Sequence, residues 1–315
     1  MLKFITISLL SIGFANANPV YDNFGVVVNG DANLGQGVHV HGGAYIGGDL
    51  TVSGWNSSFG SNLERGDTSL VVNGNSIGGK RLDLMGKSHY IGGSNSNHLQ
   101  NIGNELQESG LPGQFFDFYS RNSLLLSGME DTSVNVDDRD SNNIRVNLVP
   151  EQLNVINFNE YNASFLSNQN SNLLFNNFTE NTYVVINYDL SSDLIFKSKN
   201  QNLQESLFDN IIWNFYGGGD LVIDSSVSTF KGSILATDSF VDWRANDIDG
   251  QLVAGELSWG NTSQSHLYSP WENMDNFNII ENDEIVSSVN YGGHLPIFLL
   301  IFVFIILKRN NCVVT

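Results

Sequence analysis

An internal repeat constrains this chain more than any other feature. Val27-Val28-Asn29-Gly30, followed by Asn33-Leu34-Gly35, returns as Val71-Val72-Asn73-Gly74, followed by Asn75, Ile77 and Gly78. Ala44-Tyr45-Ile46-Gly47-Gly48 returns as His89-Tyr90-Ile91-Gly92-Gly93. The two offsets, 44 and 45 residues, nearly agree. Self-similarity at a fixed period marks a chain whose units stack on one another. Each unit holds short β-branched runs separated by Asn-Gly or Gly-Gly corners, where glycine supplies the positive φ of a tight turn. The pattern predicts a mainly β fold. A β-solenoid suits it best, with a β-sandwich as the structural alternative.

Strand signals continue downstream. Tyr183 to Tyr188 is one run, and Asn210 to Tyr216, closed by Gly217-Gly218-Gly219, is another. Leu221 to Ile223, Ser233 to Ala236 and Gln251 to Ala254 follow at spacings near 12 to 18 residues, which suits one solenoid coil. One stretch breaks the pattern. Leu99, Ile102 and Leu106 sit at helical spacing, closed by Gly110 and Pro112. A second run, Phe115 to Met129, places Phe115, Phe118, Asn122, Leu125 and Met129 on one face. The spacing predicts two helices packed along a sheet. The asparagine-rich stretch Asn168 to Asn177 reads as a polar loop.

The ends carry targeting signals. Met1-Leu2-Lys3, an apolar run from Phe4 to Phe14 and Ala15-Asn16-Ala17 make a secretory signal peptide cleaved after Ala17. Near the other end, Gly292-Gly293 precedes the uncharged run Leu295 to Leu307, then Lys308-Arg309. An apolar block with a basic pair behind it suits a membrane anchor with its basic end in the cytoplasm. The expected division is a signal peptide (1–17), a β-solenoid domain (18–278), an acidic stalk (279–291) and an anchor helix with its tail (292–315). The one cysteine, Cys312, falls after the anchor, so the exported part forms no disulfide and offers no thiolate ligand or nucleophile. That part holds 11 basic against 33 acidic residues, because Lys3, Lys308 and Arg309 all lie in the targeting segments. Such a balance argues against nucleic acid, whose phosphates need clustered Lys and Arg.

Three resemblances rest on these residues. The C-terminal end resembles bacterial sorting signals of the GlyGly-CTERM type, which implies cleavage near Gly292-Gly293. The exported part resembles the choice-of-anchor A domain of bacterial surface and secreted proteins. The matching pieces are Phe24 to Asp31, Tyr90 to Ser94, Phe116-Asp117-Phe118, Phe230 to Ala236, Ile248 to Leu257 and the ending His266 to Ser269-Pro270-Trp271. That resemblance implies surface display and no established reaction. The segments Phe230 to Ala236 and Ile248 to Leu257 are also similar to the ice-binding β-solenoid family. This implies a right-handed β-helix with a helix packed alongside.

Chemistry-bearing motifs are sparse. Gly74-Asn75-Ser76-Ile77-Gly78 matches G-x-S-x-G, but a nucleophile elbow needs a helix after the serine, and a further strand-like piece follows. His39 and His41 share a strand face and would need a third ligand from another coil to hold a metal. Asp137, Asp138, Asp140 and Asn142 suggest a loose calcium site, although Asn143 and Val149 stand where an EF-hand needs Gly and Glu. Trp55, Trp243, Trp259 and Trp271 would stack on sugars if exposed, whereas tryptophan more often packs in a core. Ice binding would need a regular threonine face, and no repeated T-x-T occurs. The sequence therefore points to a secreted, surface-anchored structural or adhesive protein with no catalytic activity and no cofactor. A carbohydrate- or ice-binding module on the same scaffold is the alternative, and a polysaccharide-active enzyme the second. The partners expected are the membrane, through Leu295 to Leu307, and surface glycans or matrix.

Overall fold

The computed structural model describes residues 19–271, apart from residues 80, 113, 133, 141, 162 and 261. The expected signal peptide, stalk and anchor lie outside the described residues. Among the described residues, no helix is long and apolar enough to cross a membrane.

The first coil shows the building rule. Strands Phe24–Val28, Ala32–Leu34 and Val38–Val40 follow one another around a common core. Alternate side chains point inward: Val26 and Val28, Ala32 and Leu34, Val38 and Val40 all join one buried cluster. The next coil repeats this with Gly43–Ile46, Leu50–Val52 and Ser57–Phe59, each in parallel register on its predecessor. Three strand faces thus enclose one apolar interior. Among the described residues every strand pairing is parallel except Asn135–Asp140 on Asn143–Asn147, so the molecule is a β-solenoid and not a sandwich.

The order of coils is not the order of the sequence. From Phe24–Val28 the chain climbs through Gly43–Ile46 and Thr68–Val72 to Ser88–Ile91. It then passes through the helix Phe115–Ser127 and resumes at the opposite end with Leu153–Asn157. The later coils wind back through Tyr183–Asp189, Ile211–Tyr216 and Ser233–Trp243 to Leu252–Trp259. That last strand pairs with the first: Val26 meets Leu252, Val27 meets Val253 and Val28 meets Ala254. The two ends of the domain therefore close against each other in the middle of the stack.

The 44-residue repeat proves to span two coils. Val27 pairs with Tyr45, Tyr45 with Val71, and Val71 with Tyr90. Asn29-Gly30 and Gly47-Gly48 corners alternate because they interlock. Gly47 and Gly48 donate their N–H groups to the carbonyls of Val28 and Gly30, both at 2.8 Å. A Cβ on Gly47 would sit 1.9 Å from the Asn29 carbonyl oxygen, and one on Gly92 would sit 2.4 Å from that of Asn73. Only glycine admits this approach.

Two expectations need correction. The helix expected over 99–106 is absent: Leu99–Gln100 is a strand on Leu82–Asp83, and Ile102 is exposed. The open edge of the preceding coil offers this segment a hydrogen-bonding partner, and Asn101 adopts positive φ, which no helix permits. The second helix forms, from Phe115 to Ser127, and buries Phe115, Phe118 and Asn122 as expected, with Leu126 inside and Leu125 partly exposed. The polar loop over 168–177 is a strand over Ser171–Asn176, lying between Asn143–Asn147 and Lys199–Gln201. Asn170 and Asn177, at φ 59° and 61°, form its corners.

Candidate binding faces

One solenoid face is closed to ligands. The helix Phe115–Ser127 packs Phe115, Phe116, Phe118, Tyr119 and Leu126 against the outward residues Val27, Tyr45, Val71, Val185, Ile212, Leu235 and Val253. An asparagine ladder, buried at Asn187 and Asn214, fixes its position. Asn157, Asn187 and Asn214 stand in register on three strands. Asn187 Nδ2 donates to the Leu126 carbonyl at 2.7 Å and to Asn157 Oδ1 at 3.1 Å. Asn214 Nδ2 donates to Asn187 Oδ1 at 2.9 Å and to the Ser123 carbonyl at 3.0 Å. Polar groups this deep are tolerated because they are hydrogen-bonded.

The second face carries a mixed outward row. Ile195, Val222, Asp242, Ser258, Asn33, Thr51 and Ile77 stand side by side on seven strands. Along its edge, carboxylates cap the next coil. Asp31 Oδ1 accepts the Asp49 N–H and Asp49 Oδ1 accepts that of Asn75, both at 2.7 Å.

The third face is different in kind. Its outward row reads Thr229, Asp247, Gln264, His39, Ser58, Asp83 and Gln100, in register across seven strands. Every member carries a hydrogen-bonding side chain. At about 4.8 Å per strand the row runs for roughly 29 Å. Some members are pre-set: His39 Nδ1 lies 2.7 Å from Ser58 Oγ, and Asp247 Oδ1 accepts the Gln264 N–H at 3.0 Å.

Beside this row, the strand ends form a cleft of about 560 Å³. His39 stands on the strand Val38–Val40, whereas His41 follows just past its end and lines this cleft. The neighbouring coil brings His266 against His41, with ring centroids 4.8 Å apart. His266 Nδ1 lies 2.5 Å from Asp249 Oδ1, which orients the ring. Burial, and then the adjacent His266, hold the His41 imidazole below its ordinary pKa. Across the cleft the Tyr268 hydroxyl donates to Glu205 Oε1 at 2.6 Å. That carboxylate, followed by burial, pushes the Tyr268 pKa up to about 12. Sequence reading missed this cleft because its walls come from five separate chain segments. Among the described residues, no three His, Cys, Asp or Glu side chains converge as metal ligands.

The other sequence candidates are placed as follows. Asp137, Asp138 and Asp140 lie on the strand Asn135–Asp140, not in a loop. Arg139 donates to both oxygens of Asp137, at 2.8 and 2.6 Å, and holds its pKa at about 2. Asp140 accepts from the Asn142 N–H and the Asn143 amide, at 2.9 and 2.6 Å. Ser76 is fully buried on the strand Ser76–Gly78, with its hydroxyl 3.3 Å from His98 Nε2, and no helix follows it. Trp243 and Trp259 are fully buried in the solenoid and Trp271 lies under the helix, while Trp55 is 52% exposed. A sugar-stacking platform built from the four tryptophans is thereby ruled out.

The family model for an ice-binding-like adhesive domain matches residues 17–267. The chain belongs to this family. No curated protein sequence matches it. Similar solved structures include an ice-binding protein from the Antarctic ascomycete Antarctomyces psychrotrophicus, at 11% identity and a TM-score of 0.35, covering 80% of this chain and 97% of that one. A glycosylated ice-binding protein from an Arctic yeast gives 13% and 0.37, covering 78% and 91%. Ice-binding protein 1 of Shewanella frigidimarina gives 12% and 0.36, covering 78% and 94%.

Proposed function

We propose that this chain is an exported, surface-held adhesive protein without catalytic activity, and that it grips a hydroxylated polymer surface through its polar open face. The observation that carries this reading is the unbroken row Thr229, Asp247, Gln264, His39, Ser58, Asp83 and Gln100. A rigid sheet that presents donors and acceptors at a constant interval meets a repetitive hydroxylated partner without ordering loops first, which lowers the entropic cost of binding. Membership of an adhesive family supports the reading. Export through the segment ending at Ala17 and anchoring through Leu295 to Leu307, with processing at Gly292-Gly293, complete it. The GlyGly-CTERM-like end and the choice-of-anchor A resemblance support that part. The motif that suggested catalysis has its serine buried in the core.

The test is retention of the detergent-solubilised full chain on beads coated with neutral polysaccharides, beside an ice-growth assay on the same protein. Retention on at least one neutral polysaccharide, with unaltered ice growth, is expected. Ice shaping without polysaccharide retention would move the function to ice. Ice is the weaker reading because hydroxyls are scattered along both open rows: Thr229 and Ser58 on one, Ser258 and Thr51 on the other.

A further inference from the structure

We infer that the cleft beside the polar face is a binding site for a single neutral sugar unit, such as the end residue of the polymer that the face grips. The inference rests on the adhesive reading and deepens it. Six side chains supply the chemistry: His41, Asn62, Glu205, Asp249, His266 and Tyr268. Imidazole, amide and phenol N–H and O–H groups stand among two carboxylates. A hydroxyl both donates and accepts, so a polyol satisfies such a mixed set. An ammonium ligand would use only the acceptors. An anionic ligand would meet Glu205 and Asp249 with no lysine or arginine lining the cleft, on a chain of net charge −19.

The site is built before any ligand arrives. Asp249 fixes His266, and Glu205 fixes the Tyr268 hydroxyl. The Tyr268 ring is held edge-on against Phe208, with centroids 5.6 Å apart and planes at 89°. It can offer its flat face to the C–H face of a sugar ring while the polar groups take the hydroxyls. Small-molecule sites combine apolar and aromatic walls with a few placed polar groups in this way. The clefts around Arg65, Lys87 and Ile102 and around Arg81 and Met85 differ. Neither is lined by a tyrosine, phenylalanine or tryptophan. The Asp249–His266 pair continues the in-register ladder of the polar face, since Asp247 and Gln264 precede them on the same two strands. The cleft thus flanks the row, about 7 Å away along the strand direction, so a sugar unit that turns aside from the row can enter it.

Titration calorimetry on the full chain tests the site, with a panel of neutral methyl hexosides, a methyl uronide and choline as probes. At least one hexoside should bind, and the uronide and choline should not. Asn62→Ala and Tyr268→Phe should each weaken hexoside binding about tenfold, roughly the worth of one hydrogen bond. Asn33→Ala on the mixed face should leave it unchanged, and unchanged melting temperatures show that the variants are folded. Hexoside binding by both cleft variants as tight as by the unaltered chain, binding of choline or the uronide as tight as that of any hexoside, or no hexoside binding would overturn the inference. If polysaccharide beads hold the chain while no hexoside binds, the cleft falls and the adhesive reading stands. If hexosides bind and the beads hold nothing, the reverse is true.

Discussion

Replacing Asn187 by alanine should loosen the helix from the solenoid. Asn187 is fully buried and makes three side-chain hydrogen bonds, to the Leu126 carbonyl, Asn157 Oδ1 and the Asn214 amide. Each such bond contributes about 1 kcal/mol net. The groups left behind differ. The Leu126 carbonyl keeps the Met129 N–H at 3.1 Å, and Asn157 is only half-buried, so water can reach it. One N–H of the Asn214 amide is orphaned in the interior, at a further cost of about 1–2 kcal/mol. The expected loss is about 4 kcal/mol, or roughly 10 °C in melting temperature for a domain of this size. Asn200→Ala is the control. It removes one ladder bond of 3.0 Å, Asn200 Nδ2 to Asn172 Oδ1, at an exposed position, and should change stability by less than about 0.5 kcal/mol. Urea unfolding of both variants, followed by tryptophan fluorescence, reads the difference. A loss below about 1 kcal/mol for Asn187→Ala, or one no larger than that for Asn200→Ala, would refute the claim that the buried ladder holds the helix.

Further predictions concern corners, charge and metal. Gly47→Ala should cost more than about 2 kcal/mol, because the added methyl group meets the Asn29 carbonyl backbone, whereas Gly79→Ala, with open space around it, should be nearly neutral; a thermal melt separates them. Burial, and then the nearby Asp22, raise the Asp209 pKa to about 6. The folded state therefore holds that proton more tightly than the unfolded chain. Its contribution to stability is complete below about pH 4 and is lost as pH rises through about 6. Asp209→Asn should flatten this part of the pH–stability curve and raise stability at pH 7; an unchanged slope would contradict it. Calcium should not raise the melting temperature through residues 137–142, since Arg139 already engages Asp137 and Asn142 and Asn143 engage Asp140; a calcium-dependent rise abolished by Asp140→Asn would contradict this.

Much of the solenoid was legible because its corners demand particular residues. Gly47-Gly48 and Gly92-Gly93 are glycine where neighbouring coils touch, and that constraint writes a period into the chain. The period came out as two coils because alternate corners interlock. The break in coil order left no local signal. Phe24–Val28 and Leu252–Trp259 are ordinary apolar strands, and nothing in either announces the other as its partner. The asparagines misled for a physical reason. In a loop they bond to their own backbone, but here Asn143, Asn172 and Asn200 stack in register across three strands, a long-range arrangement invisible along the chain. The tryptophans gave no sign of depth, whereas the fold buries Trp243 against Trp259, with centroids 5.4 Å apart. The cleft was only half legible. His41 was noticed, but His266, Asp249, Glu205 and Tyr268 reach it through coil stacking.

The central claim is that the polar face is the adhesive surface. Cells displaying the full chain can be compared in a flow-chamber attachment assay on polysaccharide-coated glass. One variant carries His39→Ala, Asp247→Ala and Gln264→Ala on the polar row. A matched variant carries Asn33→Ala, Asp242→Ala and Ser258→Ala on the mixed row. Attachment should fall at least about tenfold for the first and stay unchanged for the second. Equal attachment by both variants, or loss confined to the mixed-row variant, would contradict the assignment.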